Sequence, residues 1–229
     1  MSGDESERPF DVLLLDFGGV CLVNPVERHA AVEEHFGLDH GSLTWMGPLD
    51  VDGDELYARS LADNDYTERD YWEERAQQVG RAAGTELDTF GYMRAAYALS
   101  GPGDALIRPE AVDVCARARS IGIGVSVLTN DLHAFHGEEW VARIDFLQQV
   151  DHLVDCSHVG FLKPDRRAYE LAVDTLRSTR PDLDPGRVLF VDDQPLNVAG
   201  AEQVGIDAMF FDIAAAGRSW EQVAERMGV

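Results

Sequence analysis

Residues 11–20 read DVLLLDFGGV, an apolar run that ends on Asp16 and passes within two residues into Gly18-Gly19. An apolar run this short, closed by paired glycines, is a buried strand feeding a tight turn. Outward from it the chain changes texture twice. Residues 26 to about 100 carry helical periodicity, most of the tyrosines, and acidic turns such as Asp50-Val51-Asp52-Gly53-Asp54. This stretch closes on a linker-like break, SGPGD (100–104). From residue 105, apolar strands (123–129, 152–157, 187–193 and 207–212) alternate with amphipathic helices (109–120, 138–148, 165–178, 195–204 and from about 218). Such alternation implies βαβ units and a parallel sheet covered on both faces. The expected fold is therefore an α/β, Rossmann-like core with a helical insertion after the first strand. Its expected boundaries are 1–24 and 105–229 for the core and 25–104 for the insertion.

Asp and Glu number 42 against 19 Lys and Arg, a formal net charge of −23. A field of that sign repels phosphate-rich polymers and anionic bilayers, so neither nucleic acid nor a membrane is an expected partner. No apolar stretch approaches spanning length and the polar start, MSGDESERP, has no signal core, so a cytoplasmic protein is expected. Cys21, Cys115 and Cys156 are odd in number and lack paired spacing. They read as reduced, buried small hydrophobes rather than as a disulfide framework or zinc ligands. Lysine is used once, at Lys163 in VGFLKPD (159–165).

Ligands of parallel sheets bind beyond the carboxyl ends of the strands. Asp16 ends the first strand, Thr129-Asn130 the second and Asp192-Asp193 the fourth, while Lys163 precedes the helix after the third. Each alone has an ordinary explanation as a strand stop, turn or helix cap. Together they gather three carboxylates, a hydroxyl and an ammonium at one edge of the sheet. Crowded carboxylates repel unless a cation sits among them, and hard oxygen donors around an open site suit Mg2+.

In order along the chain, LLLDFGGV (13–20), VLTND (127–131), VGFLKPD (159–165) and VLFVDDQPLNVAGAEQVGI (188–206) resemble the four motifs of the haloacid dehalogenase-like hydrolase superfamily. The resemblance covers about residues 10–24 and 105–215. It implies a nucleophilic Asp16, phosphoryl binding by Thr129 with Asn130, and charge neutralisation by Lys163. It also implies Mg2+ held by Asp16, Asp192, Asp193 and the backbone carbonyl of Gly18, and it makes the insertion a helical cap. The implied activity is a Mg-dependent phosphatase of a small phosphorylated metabolite, acting through an aspartyl-phosphate on Asp16.

One position departs from the pattern. Most phosphatases of this family carry a second acid two residues after the nucleophile, as general acid and base; here that residue is Gly18. The DxGxV form is similar to that of the branch containing sugar-1-phosphate phosphatases, which favours a sugar phosphate. The alternatives are a binding or regulatory relative with little turnover and a 2-haloacid dehalogenase, although the acid pair argues for a metal that dehalogenases do not need. A replacement acid is expected from the insertion, with His40, Asp50, Asp52 and Asp54 as candidates. The insertion's aromatics (Trp45, Tyr57, Tyr66, Tyr71, Trp72, Tyr92, Tyr97) are expected mainly to pack on one another. His133 and His136 are expected to shape the loop beside the phosphate, since no further soft metal ligands lie near them in sequence.

Overall fold

The computed structural model describes residues 8–63, 65–98 and 103–229, so most of the polar start and of the SGPGD break lies outside the described residues. Five parallel strands form one sheet in the order β3-β2-β1-β4-β5. They are β1 (Val12–Leu15), β2 (Gly124–Thr129), β3 (His152–Asp155), β4 (Val188–Asp192) and β5 (Asp207–Phe210). The side chains alternate strictly between two cores. Leu13, Leu15, Val125, Val127, Leu189 and Val191 enter one, while Val12, Leu14, Leu128, Val188 and Phe190 enter the other. This period-two split of a continuous apolar run is what a sheet buried on both faces requires. Each such side chain stabilises the fold by about 1.5–3 kcal/mol on burial.

Helices α1 (His29–Phe36), α2 (Glu55–Ala62), α3 (Glu68–Ala83) and α4 (Thr89–Ala96) make up the insertion between β1 and β2. The remainder are α5 (Pro109–Ser120), α6 (Leu132–His136), α7 (Glu138–Val141), α8 (Asp145–Gln148), α9 (Arg166–Arg177), α10 (Pro195–Glu202) and α11 (Ala216–Met227). Ala111, Val114 and Cys115 of α5 and Trp220 and Val223 of α11 cover the first sheet face. Ala168, Tyr169, Ala172 and Leu176 of α9 and Ala201 of α10 cover the second. The first core continues into the insertion through Phe17, Leu22, Trp72 and Tyr97, so a seam of apolar side chains joins the two.

Two expectations are corrected in detail. The single helix expected over 138–148 is two short ones, α7 and α8, preceded by α6. Gly137 adopts φ +76 between α6 and α7, a conformation that ends a helix. The third strand stops at Asp155 because its carboxylate accepts from Ser157 N at 2.9 Å and bends Cys156–His158 into a helical turn. No helix among the described residues is long and apolar enough to cross a membrane. Cys21, Cys115 and Cys156 are all buried and none is paired in a disulfide.

Candidate active site

Strand register brings the first acids together. Leu15 lies opposite both Val127 and Val191, and Asp16 N donates to Val191 O at 2.9 Å, so Asp16 leaves the sheet beside Asp192. Lys163 reaches both. Its Nζ donates to Asp16 Oδ1 at 2.6 Å and to Asp192 Oδ2 at 2.6 Å, and the residue is 4% exposed. Burial opposes the ammonium's charge, but the two carboxylates more than offset this and hold it protonated, its pKa raised. Burial pushes the Asp16 carboxyl up to about 7, with Lys163 pulling against the shift and Asp192 adding to it.

The acid pair at the end of β4 divides its work. Asp192 is fully buried and both its oxygens are used. Oδ2 faces Lys163, while Oδ1 accepts from Gln194 N and Asn197 Nδ2, each at 2.9 Å. Asp193 instead lines the cavity that Asp16 and Gly18 also line. Burial, then the charges of Asp192, Asp16 and Glu68, push its carboxyl well above the ordinary range. A divalent cation would relieve that repulsion, and among the lining residues the Asp16 and Asp193 carboxylates and the Gly18 main-chain carbonyl are hard oxygen donors of the kind Mg2+ prefers. The residues present fit Mg2+.

Thr129, the last residue of β2, is buried and lines the same cavity. Asn130 follows it, but its side chain is spent on the main chain of Lys163. Nδ2 donates to Lys163 O at 3.1 Å and Lys163 N donates to Oδ1 at 2.7 Å. Asn130 also lines the cavity, and its side chain clamps the lysine's backbone 33 residues away.

None of the acids expected from the loop 40–54 lines the cavity. Asp54 is 1% exposed and turned inward, accepting from Gly47 N, Tyr57 N and the Tyr71 hydroxyl and pairing with Arg75. Asp50 accepts from Gly53 N at 3.1 Å. His40 faces Glu33 at 3.8 Å from an exposed position, and Asp52 is exposed. The acid that the insertion does bring to the cavity is Glu68, at the first position of α3. The readable signal for it was the capping pattern Thr67-x-x-Asp70, which marks a helix start there. Most of the insertion's aromatics are buried against one another, with Trp72 and Tyr97 also walling the cavity.

His136 lines the cavity, stacked 4.2 Å from the Trp140 ring, and burial lowers its pKa to about 3. His133 lies beside Asp155, its Nδ1 2.6 Å from Oδ2. The fold also brings His158 near, so that ligand atoms of His133, Asp155 and His158 lie within 4.8 Å of one another, a grouping that sequence distance conceals. Asp155 already accepts from His133 N, Ser157 N and Ser157 Oγ, which makes it the lock of this turn.

Residues 10–205 match the family described as haloacid dehalogenase-like hydrolase. The chain is 30% identical to the acyl-CoA dehydrogenase family member 10 of Mus musculus over 104 residues, 45% of this chain and 9% of that protein. It is 30% identical to (S)-2-haloacid dehalogenase H-109 of Pseudomonas putida over 98 residues, 42% of this chain and 41% of that protein. The matched stretches thus span less than half the length of these relatives. Among solved structures, the putative HAD-hydrolase YfnB of Bacillus subtilis bound to magnesium has the same fold. It superposes with a TM-score of 0.66 at 14% identity, covering 88% of this chain and 86% of that one. Four motifs at the strand ends, a parallel sheet with a helical insertion after β1 and a family match over most of the length agree: the chain belongs to the haloacid dehalogenase-like hydrolases.

Proposed function

We propose that the protein is a phosphomonoesterase working through Asp16, with Mg2+ as cofactor and a small phosphorylated metabolite as substrate. The observation that supports this is the charge lining the cavity. Asp16, Glu68, Asp131 and Asp193 face it, and Lys163 is the one Lys or Arg among the described lining residues. A surplus of carboxylates receives a phosphoryl group well only when a divalent cation is held there. Asp16, Asp193 and the Gly18 carbonyl would hold Mg2+, which when bound supplies positive charge to the phosphoryl oxygens.

The chain's own residues account for the remaining steps. Asp16, aimed by Lys163 Nζ, attacks phosphorus as the ester bond opens, giving an acyl phosphate that water then hydrolyses. One hard displacement becomes two easier ones. Lys163 balances the nucleophile's charge, and the Thr129 hydroxyl donates to the transferring group. Asn130 and Asp192 position the lysine, one through its backbone and the other through its ammonium. The DFGGV form of the first motif makes sugar phosphates the first esters to try. Metal-free dehalogenation is less well supported, because a 2-haloacid brings a carboxylate and the described lining offers no arginine to receive it.

The test is phosphate release from an aryl phosphate and a panel of sugar phosphates, with and without Mg2+. Wild type is expected to release phosphate only with the metal, and Asp16→Asn to lose more than about 10³-fold. Turnover that survives Asp16→Asn or ignores chelation would overturn the proposal, as would halide release from a 2-haloacid without metal.

A further inference from the structure

Gly18 stands where an acid would serve the leaving group, and the space beside it is open. A Cβ built there meets nothing within 4 Å. Across the same cavity stands Glu68, whose carboxylate is held from two sides. Oε1 accepts from Trp72 Nε1 at 3.1 Å, and Oε2 accepts from Gln194 Nε2 at 2.6 Å. Trp72 is one turn further along α3, whereas Gln194 directly follows Asp193 at the end of β4. The second contact therefore ties the insertion to the sheet's edge. The next residue, Arg69, bridges the same gap, its Nε donating to Asp131 Oδ1 at 2.9 Å.

The other acids lining the cavity have duties already. On the phosphatase reading Asp16 is the nucleophile and Asp193 would hold the cation, while Asp131 is engaged by Arg69. We propose that Glu68 is the general acid and base of the reaction, delivered by the insertion in place of the acid missing at position 18. The inference rests on the phosphatase reading above. In the first step the Asp16 carboxylate forms a bond to phosphorus, the phosphorus–oxygen bond to the leaving group breaks, and the Glu68 carboxyl proton passes to that oxygen, releasing a neutral alcohol. In the second, water bonds to phosphorus and gives a proton to the Glu68 carboxylate. The acyl phosphate opens, inorganic phosphate departs, and both carboxyl groups return to their starting states.

The surroundings suit a group that must hold a proton and surrender it. Asp131, Asp192 and Asp193 act on Glu68 from the core and Tyr57 from α2, while Arg69 on its own helix is occupied by Asp131. Burial, reinforced by the Asp131 and Asp192 charges, raises the Glu68 carboxyl; the hydrogen bonds from Trp72 Nε1 and Gln194 Nε2 and the N-terminus of α3 work the other way. Because the acid belongs to the insertion, reaction of esters with poor leaving groups requires the insertion to be seated on the core.

The experiment compares an aryl phosphate, whose leaving group departs without protonation, with an alkyl phosphate, whose leaving group needs it. Both are assayed with Mg2+ as kcat/KM, which reports the steps through leaving-group departure. Glu68→Gln keeps the shape of the side chain and is expected to lose about 10² to 10⁴ on the alkyl ester and less than about tenfold on the aryl ester. Adding Gly18→Asp to Glu68→Gln is expected to restore at least about tenfold on the alkyl ester, since the space at position 18 is free. Equal losses on the two esters would mean that Glu68 only holds the insertion in place. That result, no loss on the alkyl ester, or no recovery with Gly18→Asp would overturn the role while leaving the phosphatase reading standing. A wild type inert on both esters would overturn the reading and the role together.

Discussion

Burying an ammonium costs several kcal/mol unless carboxylates surround it, and Lys163 lies 2.6 Å from two of them. Its small spherical head touches Asp16 and Asp192 at once and leaves the cavity side of Asp16 free. A guanidinium is planar and larger, and its fork would spread across the space the phosphoryl group needs. Lys163→Arg is therefore expected to lower kcat by about 10² or more, with the circular dichroism spectrum of a folded protein retained. Near-normal turnover would remove the lysine from the mechanism. At this scale much of the candidate site was legible, because Asp16, Thr129 and Asp192-Asp193 each sit at a strand end and Lys163 lies in the loop before the helix that follows the third. The division between a lysine-holding Asp192 and a cavity-facing Asp193 was not, since it depends on where Asn197 and Gln194 Nα–H point.

Among the elements, α2 and α3 show why an acidic turn can mislead. Asp52-Gly53-Asp54 reads as a solvated loop, and it yields no cavity acid because Asp54 caps α2 and turns toward Arg75, 21 residues on. Burial works against the Asp54 charge, but the Gly47 and Tyr57 amides, the Tyr71 hydroxyl and Arg75 hold its carboxyl below its ordinary value of 3.8. A depressed folded pKa stabilises the fold above the unfolded value and loses that contribution as pH falls through the folded one. Asp54→Asn leaves Arg75 buried without its countercharge, and is expected to cost about 3–5 kcal/mol in denaturant unfolding at neutral pH. The loss should shrink toward acid, where the wild-type carboxylate is protonated in both states. A pH-independent loss would show that the charge is not what matters. The strands were legible from their apolar runs. The α6–α8 region was not, because its break depends on the backbone of Gly137 rather than on periodicity.

Over the whole molecule, a chain of net charge −23 is proposed to handle an anionic substrate. The two would be reconciled at one edge of the sheet, where Lys163 and the oxygen ligands suited to Mg2+ meet under a helical insertion. That the insertion is helical and follows β1 was legible in composition and periodicity. Which of its acids reaches the core was not, because the seam through Phe17, Leu22, Trp72 and Tyr97 sets how α3 lies on the sheet. The central claim is a covalent phosphoryl group on Asp16. Its most direct test is the intact mass of protein quenched in acid during turnover of an aryl phosphate with Mg2+. The account predicts a mass increase of one phosphoryl group in wild type, mapped to the peptide containing Asp16 and absent from Asp16→Asn. Turnover with no phosphorylated protein, or with the group on another residue, would contradict it.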